Sequence, residues 1–163
     1  MEENPLKDLD EIDRQIIHEL QESSRKASKE IAEKLNVSDG TIRYRMNRLL
    51  KSGQFKISAR INPFSIREGI LAFIGMQLEK RTHAKTMGKI AKMKGVLSVS
   101  NVTGTYDLIV EVFFESRQEL LQFLVEEISK TGGITRTDTF TVLDSINKWV
   151  ELPERSTEIK KHN

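Results

Sequence analysis

The sequence predicts an α+β chain of two small domains, a three-helix unit followed by a β-α-β-β-α-β unit. Three observations predict it: apolar residues at helical spacing through the first fifty positions, a change of pattern between Gly53 and Pro63, and alternating apolar strands and amphipathic helices from Gly69 onward. A chain of 163 residues can hold two small cores, and cores of that size lean on each other or on a partner subunit.

Leu9, Ile12, Ile16, Ile17 and Leu20 define the first helix, with Asp8 or Asp10 placed to cap it and Glu11 or Asp13 three residues on. After the polar stretch 21–26, Ile31, Ala32 and Leu35 mark a second short helix. It should stop at Leu35, because Asn36 tolerates left-handed dihedrals. Ser38 offers a side-chain oxygen to the N–H groups of a third helix, whose Ile42, Met46, Leu49 and Leu50 share one side before Gly53 closes it. The first domain is therefore 1–53. FKISARINP reads as a short extended segment interrupted by Pro63, so 54–68 is expected to be a linker strand and hinge, with the boundary near 62–68.

The second domain, 69–152, runs through the strand ILAFIGMQL, a helix carrying Met87, Ile90 and Met93, the strands LSVSNV and LIVEVFF, a second helix, and the strand TRTDTFTVLD. Ser116-Arg117-Gln118-Glu119 is a capping box, and that helix continues through Leu120, Leu121, Leu124 and Ile128 to Gly132-Gly133. The order β-α-β-β-α-β is the ferredoxin-like arrangement, an antiparallel sheet with both helices on one face. The other face then needs cover, which a second subunit would supply. Trp149 reads as interface or core packing. The charged tail 153–163 is expected to be solvated and is assigned no role.

Composition removes several function classes. No apolar run approaches the roughly 18 residues of a membrane span, and the acidic start MEENPLKDLDE is unlike a secretory signal, so a cytoplasmic protein is expected. There is no cysteine, which removes thiol chemistry and disulfides, and His18, His83 and His162 have no metal-ligand spacing. No catalytic residue, metal or resident cofactor is expected.

The net charge of +2 says little, but its distribution says more. Between Gly40 and Arg67 stand Arg43, Arg45, Arg48, Lys51, Lys56, Arg60 and Arg67, with no Asp or Glu among them. A solvated helix face ordinarily mixes both signs, so this segment points to a polyanion. The second and third helices have the spacing of a helix-turn-helix, in which the second braces the third in the major groove of DNA and a small residue, here Ala32, permits the close crossing. The DNA-facing set is then Ser38, Asp39, Thr41, Arg43, Tyr44, Arg45, Asn47, Arg48, Lys51 and Lys56. Arg43, Tyr44 and Asn47 suit base edges, while Lys51 and Lys56 suit phosphates.

The chain resembles the Lrp/AsnC family of leucine-responsive, or feast/famine, regulators over nearly its whole length apart from the tail. The resemblance lies in Leu9 to Asp13 with Ile16, Ile17 and Leu20; in Arg25 and Glu30 to Ala32; and in Val37-Ser38, Thr41-Ile42, Arg45-Met46 and Arg48-Leu49. In the second domain it lies in Gly95-Val96, Val102 to Leu108, Thr137 to Thr139 and Val142-Leu143. It implies a homodimer joined through the ferredoxin-like sheets, assembling further into tetramers or octamers, with a small effector, usually an amino acid, bound between dimers. It also implies an effector site at Gly104, Thr105, Tyr106 and Asp107, with Thr137 and Thr139 nearby. A glycine lets a ligand approach the backbone, and an aspartate with backbone N–H groups suits a zwitterion. The bland alternative is that Gly104 to Asp107 is only a tight connection between strands.

The chain departs from the family pattern in three places. Ala27 stands where a serine usually caps the second helix, so Ser28 is expected to cap instead and to shift the start by one residue. Gly40 costs about 1 kcal/mol of helix propensity, so the start of the third helix is expected to order fully only on DNA. Thr105 replaces a common aspartate, which leaves room for an unusual effector or none. The expected function is a sequence-specific regulator on a pseudo-palindromic operator of double-stranded DNA. The alternatives are an architectural DNA-coating protein and an enzyme resembling the siroheme decarboxylases, for which the pocket region lacks a suitable histidine.

Overall fold

Asp10 opens the first element by accepting the backbone N–H of Asp13 at 2.9 Å, while the Asp13 carboxylate reaches back to the N–H of Asp10, a reciprocal capping box. The computed structural model describes residues 9–79 and 83–152, so Asp8, the extreme N-terminus and the tail from Pro153 lie outside the described residues. The chain divides into two units, Met1–Ser58 and Ala59–Asn163.

The first unit holds α1 (Glu11–Glu22), α2 (Ser28–Leu35) and α3 (Asp39–Lys51). Ile16, Leu20, Ile31, Ala32 and Ile42 form its core, with Ile12, Leu35, Val37, Met46 and Phe55 packed around them. Asn36 ends α2 in the left-handed conformation at φ 53°, as its residue type predicts. Two expectations are corrected here. Ala27, whose methyl side chain cannot accept, occupies the cap position of α2, and the Ser28 hydroxyl donates to Asp39 at 2.5 Å rather than capping. The structure has α3 helical from Asp39, where Ser38 accepts the N–H of Thr41 at 3.1 Å. Leu50 is exposed rather than inward, one step round the helix from the buried Ile42 and Leu49.

The second unit has β1 (Ile70–Leu78), α4 (His83–Ile90), β2 (Val96–Asn101), β3 (Leu108–Phe114), α5 (Arg117–Gln122, continuing as a π-helical stretch Phe123–Ile128) and β4 (Ile134–Thr141). The sheet order is β2-β3-β1-β4 with every neighbouring pair antiparallel, the ferredoxin-like order. Alternation along β1 and β3 sends Ala72, Ile74, Met76, Leu108, Val110, Val112 and Phe114 to one face, where Ile90, Leu120, Phe123 and Ile128 cover them. Leu121, on the same helix, is exposed.

The opposite face is only partly covered by its own chain. Leu71 and Phe113 are buried there with Val150, and Ile61, Ile66, Leu97 and Val142 pack against them. Ile61 and Val150 exchange two backbone hydrogen bonds of 2.9 Å. The stretch 54–68 is therefore not a linker strand: 54–60 has no regular structure, Ile61 makes a single bridge, and Ile61 and Ile66 pack within the second unit. Trp149 lies beyond β4 and is exposed, as are Phe140, Leu143 and Ile146.

Candidate nucleic-acid interface and effector site

The 3.6-residue period of α3, set by its buried Ile42 and Leu49, turns Gly40, Arg43, Tyr44, Asn47 and Lys51 outward along one exposed stripe. Ser38 and Thr41 are tied to each other at the start of the helix through their hydroxyl oxygens, 2.8 Å apart. Asp39 accepts the Ser28 hydroxyl and pairs with Arg43 one turn on; that hydroxyl first, and then Arg43, holds its carboxyl below the usual aspartate value. Lys56 lies past the helix and is exposed.

Two of the expected DNA-facing arginines point elsewhere. Arg45 lies against α1, donating to Asp10 at 2.5 Å and to Asp13 at 2.9 Å. Arg48 pairs with the other oxygen of Asp13. Asp13 is buried, and the Arg45 guanidinium also holds Asp10 below the usual aspartate value. The segment 40–67 carries no acid of its own, yet α1 supplies acids in space. Spacing within α3 alone does not reveal this, because both partners come from another helix.

The loop between β2 and β3 is built by backbone pairing. Val102 donates to the Asp107 carbonyl at 3.0 Å, and Asp107 donates to the Met76 carbonyl at 2.9 Å. The Asp107 carboxylate accepts the N–H of Leu78 at 2.8 Å, where the β1–β4 register shifts. Gln77 donates to the Thr105 carbonyl at 2.9 Å, and Gly104 takes a φ of 124°, which favours glycine.

Tyr106 is laid over β1. Its ring lies so close to Gly75 that a Cβ there would stand 2.7 Å from Tyr106 Cδ1, and its hydroxyl donates to Asp138 at 3.1 Å. Arg136 holds the same Asp138 carboxylate at 3.0 Å, and Phe140 meets the Tyr106 ring edge-on at 6.2 Å between centroids. Burial first, and then the hydrogen bond to the Asp138 carboxylate, raises the tyrosine above its usual value.

Thr137 and Thr139 pair with Met76 and Ile74, so they stand on the face of β4 opposite to Asp138 and are exposed. Within one chain the structure gathers Gly104, Thr105, Tyr106 and Asp107 but does not bring the two threonines to them. Gly75, Arg136 and Asp138 are additions that sequence reasoning missed. A glycine inside an apolar strand was the available signal for Gly75.

Among the described residues His18, Glu19 and Glu22 form a group with metal-ligand spacing. The Glu19 carboxylate, however, is already held by Lys26 and Lys34, both at 2.5 Å. No helix of the described residues is long and apolar enough to cross a membrane.

Residues 9–50 match the AsnC-type helix-turn-helix domain, and residues 71–149 match the Lrp/AsnC ligand binding domain. The HTH-type transcriptional regulator PH0140 of Pyrococcus horikoshii is 39% identical over 143 residues, covering 87% of this chain and 90% of its own. The HTH-type transcriptional regulator FL11 of Pyrococcus abyssi is 32% identical over 146 residues, covering 89% and 96%. Among solved structures, a transcriptional regulator of Neisseria meningitidis in complex with L-methionine superposes with a TM-score of 0.68 at 26% identity, covering 90% of this chain and 97% of that one. AsnC of Escherichia coli gives 0.67 at 25% identity, covering 85% and 95%. These relatives are regulators, not enzymes.

Proposed function

The chain belongs to the Lrp/AsnC family of transcriptional regulators, and from that premise we propose that it binds a pseudo-palindromic DNA site as a homodimer whose response is tuned by an amino acid. The observation that carries the DNA half is the outward stripe of α3. Arg43 offers two donors to a base edge and Asn47 one donor with one acceptor, Tyr44 adds an exposed aromatic ring, and Lys51 ends the stripe in reach of phosphate. A two-fold dimer would set two such helices in successive major grooves, in the cytoplasm where the DNA lies.

The second copy covers the apolar residues left exposed on and after β4, Phe140, Leu143, Ile146 and Trp149. The amino acid takes the Val102 to Asp107 loop, beside Tyr106 and the Asp138 carboxylate. Thr137 and Thr139 would meet it only from another subunit of a tetramer or octamer. A ligand domain of this family, and a structural relative holding L-methionine, support an amino acid as the effector class.

Footprinting on the chain's own upstream DNA, with a panel of amino acids, tests the reading. Protection of a two-fold symmetric site that one amino acid alters is expected. Uniform protection without sequence preference would indicate an architectural protein instead.

A further inference from the structure

All three arginines of α3 are held by aspartates, and water reaches the three pairings to different degrees. Arg43 and Asp39 are 67% and 32% exposed in their side chains. Arg48 is 45% exposed but reaches a carboxylate, Asp13, that is only 2% exposed. Arg45 is 19% exposed and lies between that same carboxylate and Asp10. A solvated pair such as Arg43–Asp39 is weak, because screening and side-chain entropy cancel most of the attraction. A pair with a buried carboxylate persists, because parting the ions leaves a desolvated charge without compensation. Arg43 is thus readily released to a ligand, whereas Arg45 and Arg48 are retained.

Asp10 and Asp13 present to these guanidiniums anionic oxygen acceptors of the kind that a DNA phosphate would present. Phosphate and clasp compete for the same donors. Phosphate contacts strengthen binding to every sequence alike, while base contacts separate one sequence from another.

We propose that Asp13, supported by Asp10, is a specificity-determining residue: by occupying Arg45 and Arg48 it keeps two of the four cations of α3 off the phosphate backbone and so limits sequence-independent binding. Recognition then falls on Arg43, Tyr44 and Asn47, which face outward. The inference rests on the DNA-binding reading above.

The test is binding of the full chain to a short duplex of random sequence over a range of salt concentrations, for the wild type and for Asp13→Asn. Asparagine removes the charge while keeping the side chain's shape. Asp13→Asn should bind this non-specific duplex more tightly, with a log–log salt slope steeper by about 1 to 2, as each released cation neutralises one more phosphate. An unchanged slope with intact binding would overturn the inference and leave the DNA-binding reading standing. A wild-type chain that bound the duplex at no salt concentration would overturn both.

If Asp13→Asn does not fold, Arg48→Gln decides. With Arg48 already withdrawn to Asp13, its loss should leave the slope unchanged. A slope shallower by about 0.9 would show Arg48 on phosphate and overturn the inference.

Discussion

The Asp13 carboxylate and the Arg45 guanidinium, 32 residues apart in sequence, meet at 2.9 Å and join the first helix of the DNA-binding unit to the third. Asp13 also closes the capping box at the start of α1, so one buried side chain begins one helix and orients another. Arg45→Met should therefore lower stability by about 1 to 3 kcal/mol, less than for a buried charge left alone because Arg48 still faces Asp13. Arg43→Ala should change the denaturation midpoint little, since its pair is solvated. Denaturant unfolding of the two variants side by side checks this; equal losses would contradict the distinction.

Arg43 and Lys51 share the exposed stripe but have different tasks. Arg43→Ala should reduce discrimination at one base position by about 1 to 3 kcal/mol. Lys51→Ala should weaken all sites alike and make the salt slope shallower by about 0.9. Titrations on matched and mismatched duplexes separate the two, and identical behaviour would refute the assignment of roles.

Gly75 is the position most sensitive for the effector domain. Any side chain there meets the Tyr106 ring, so Gly75→Ala should displace it and break its hydrogen bond to Asp138. The expected outcome is loss of the amino-acid response with DNA binding retained, and a stability loss of about 1 to 3 kcal/mol from overpacking. Binding isotherms with and without the amino acid report it. A full response in Gly75→Ala would remove Tyr106 from the site.

The helical unit should be acid-labile. Lys26 first, and then Lys34, holds Glu19 below its usual value of 4.5, and Asp10 and Asp39 are held below 3.8. Each folded value lies below the unfolded one. The stabilisation is therefore present above the unfolded values and is lost as pH falls through the folded ones. Stability should be level near neutral pH and decline from about pH 4.5 downward, and Glu19→Gln should flatten the upper part of that decline. Helical circular dichroism in denaturant at several pH values tests the sign.

Much of the fold was legible because its signals are local. The Asp10 and Asp13 capping box, the left-handed stop at Asn36, the Ser38 cap and the alternating strands all act within a few residues. What was not legible depends on contacts between distant segments. The basic run 40–67 contains no acid, yet the partners of Arg45 and Arg48 lie 32 and 35 residues earlier on α1. Tyr106 and Asp138 are likewise 32 residues apart and meet only once β1 and β4 are in register. The separation of Thr137 and Thr139 from Asp138, by contrast, follows from strand alternation and was readable from the start.

The outward face of α3 as a reader of sequence is tested most directly by selecting binding sites from random DNA with the wild-type chain and with Arg43→Ala in parallel. A two-fold symmetric motif in the wild type, degenerate at one position per half-site in Arg43→Ala, is the predicted result. Failure of the wild type to enrich any motif, or an identical motif from both proteins, would contradict it.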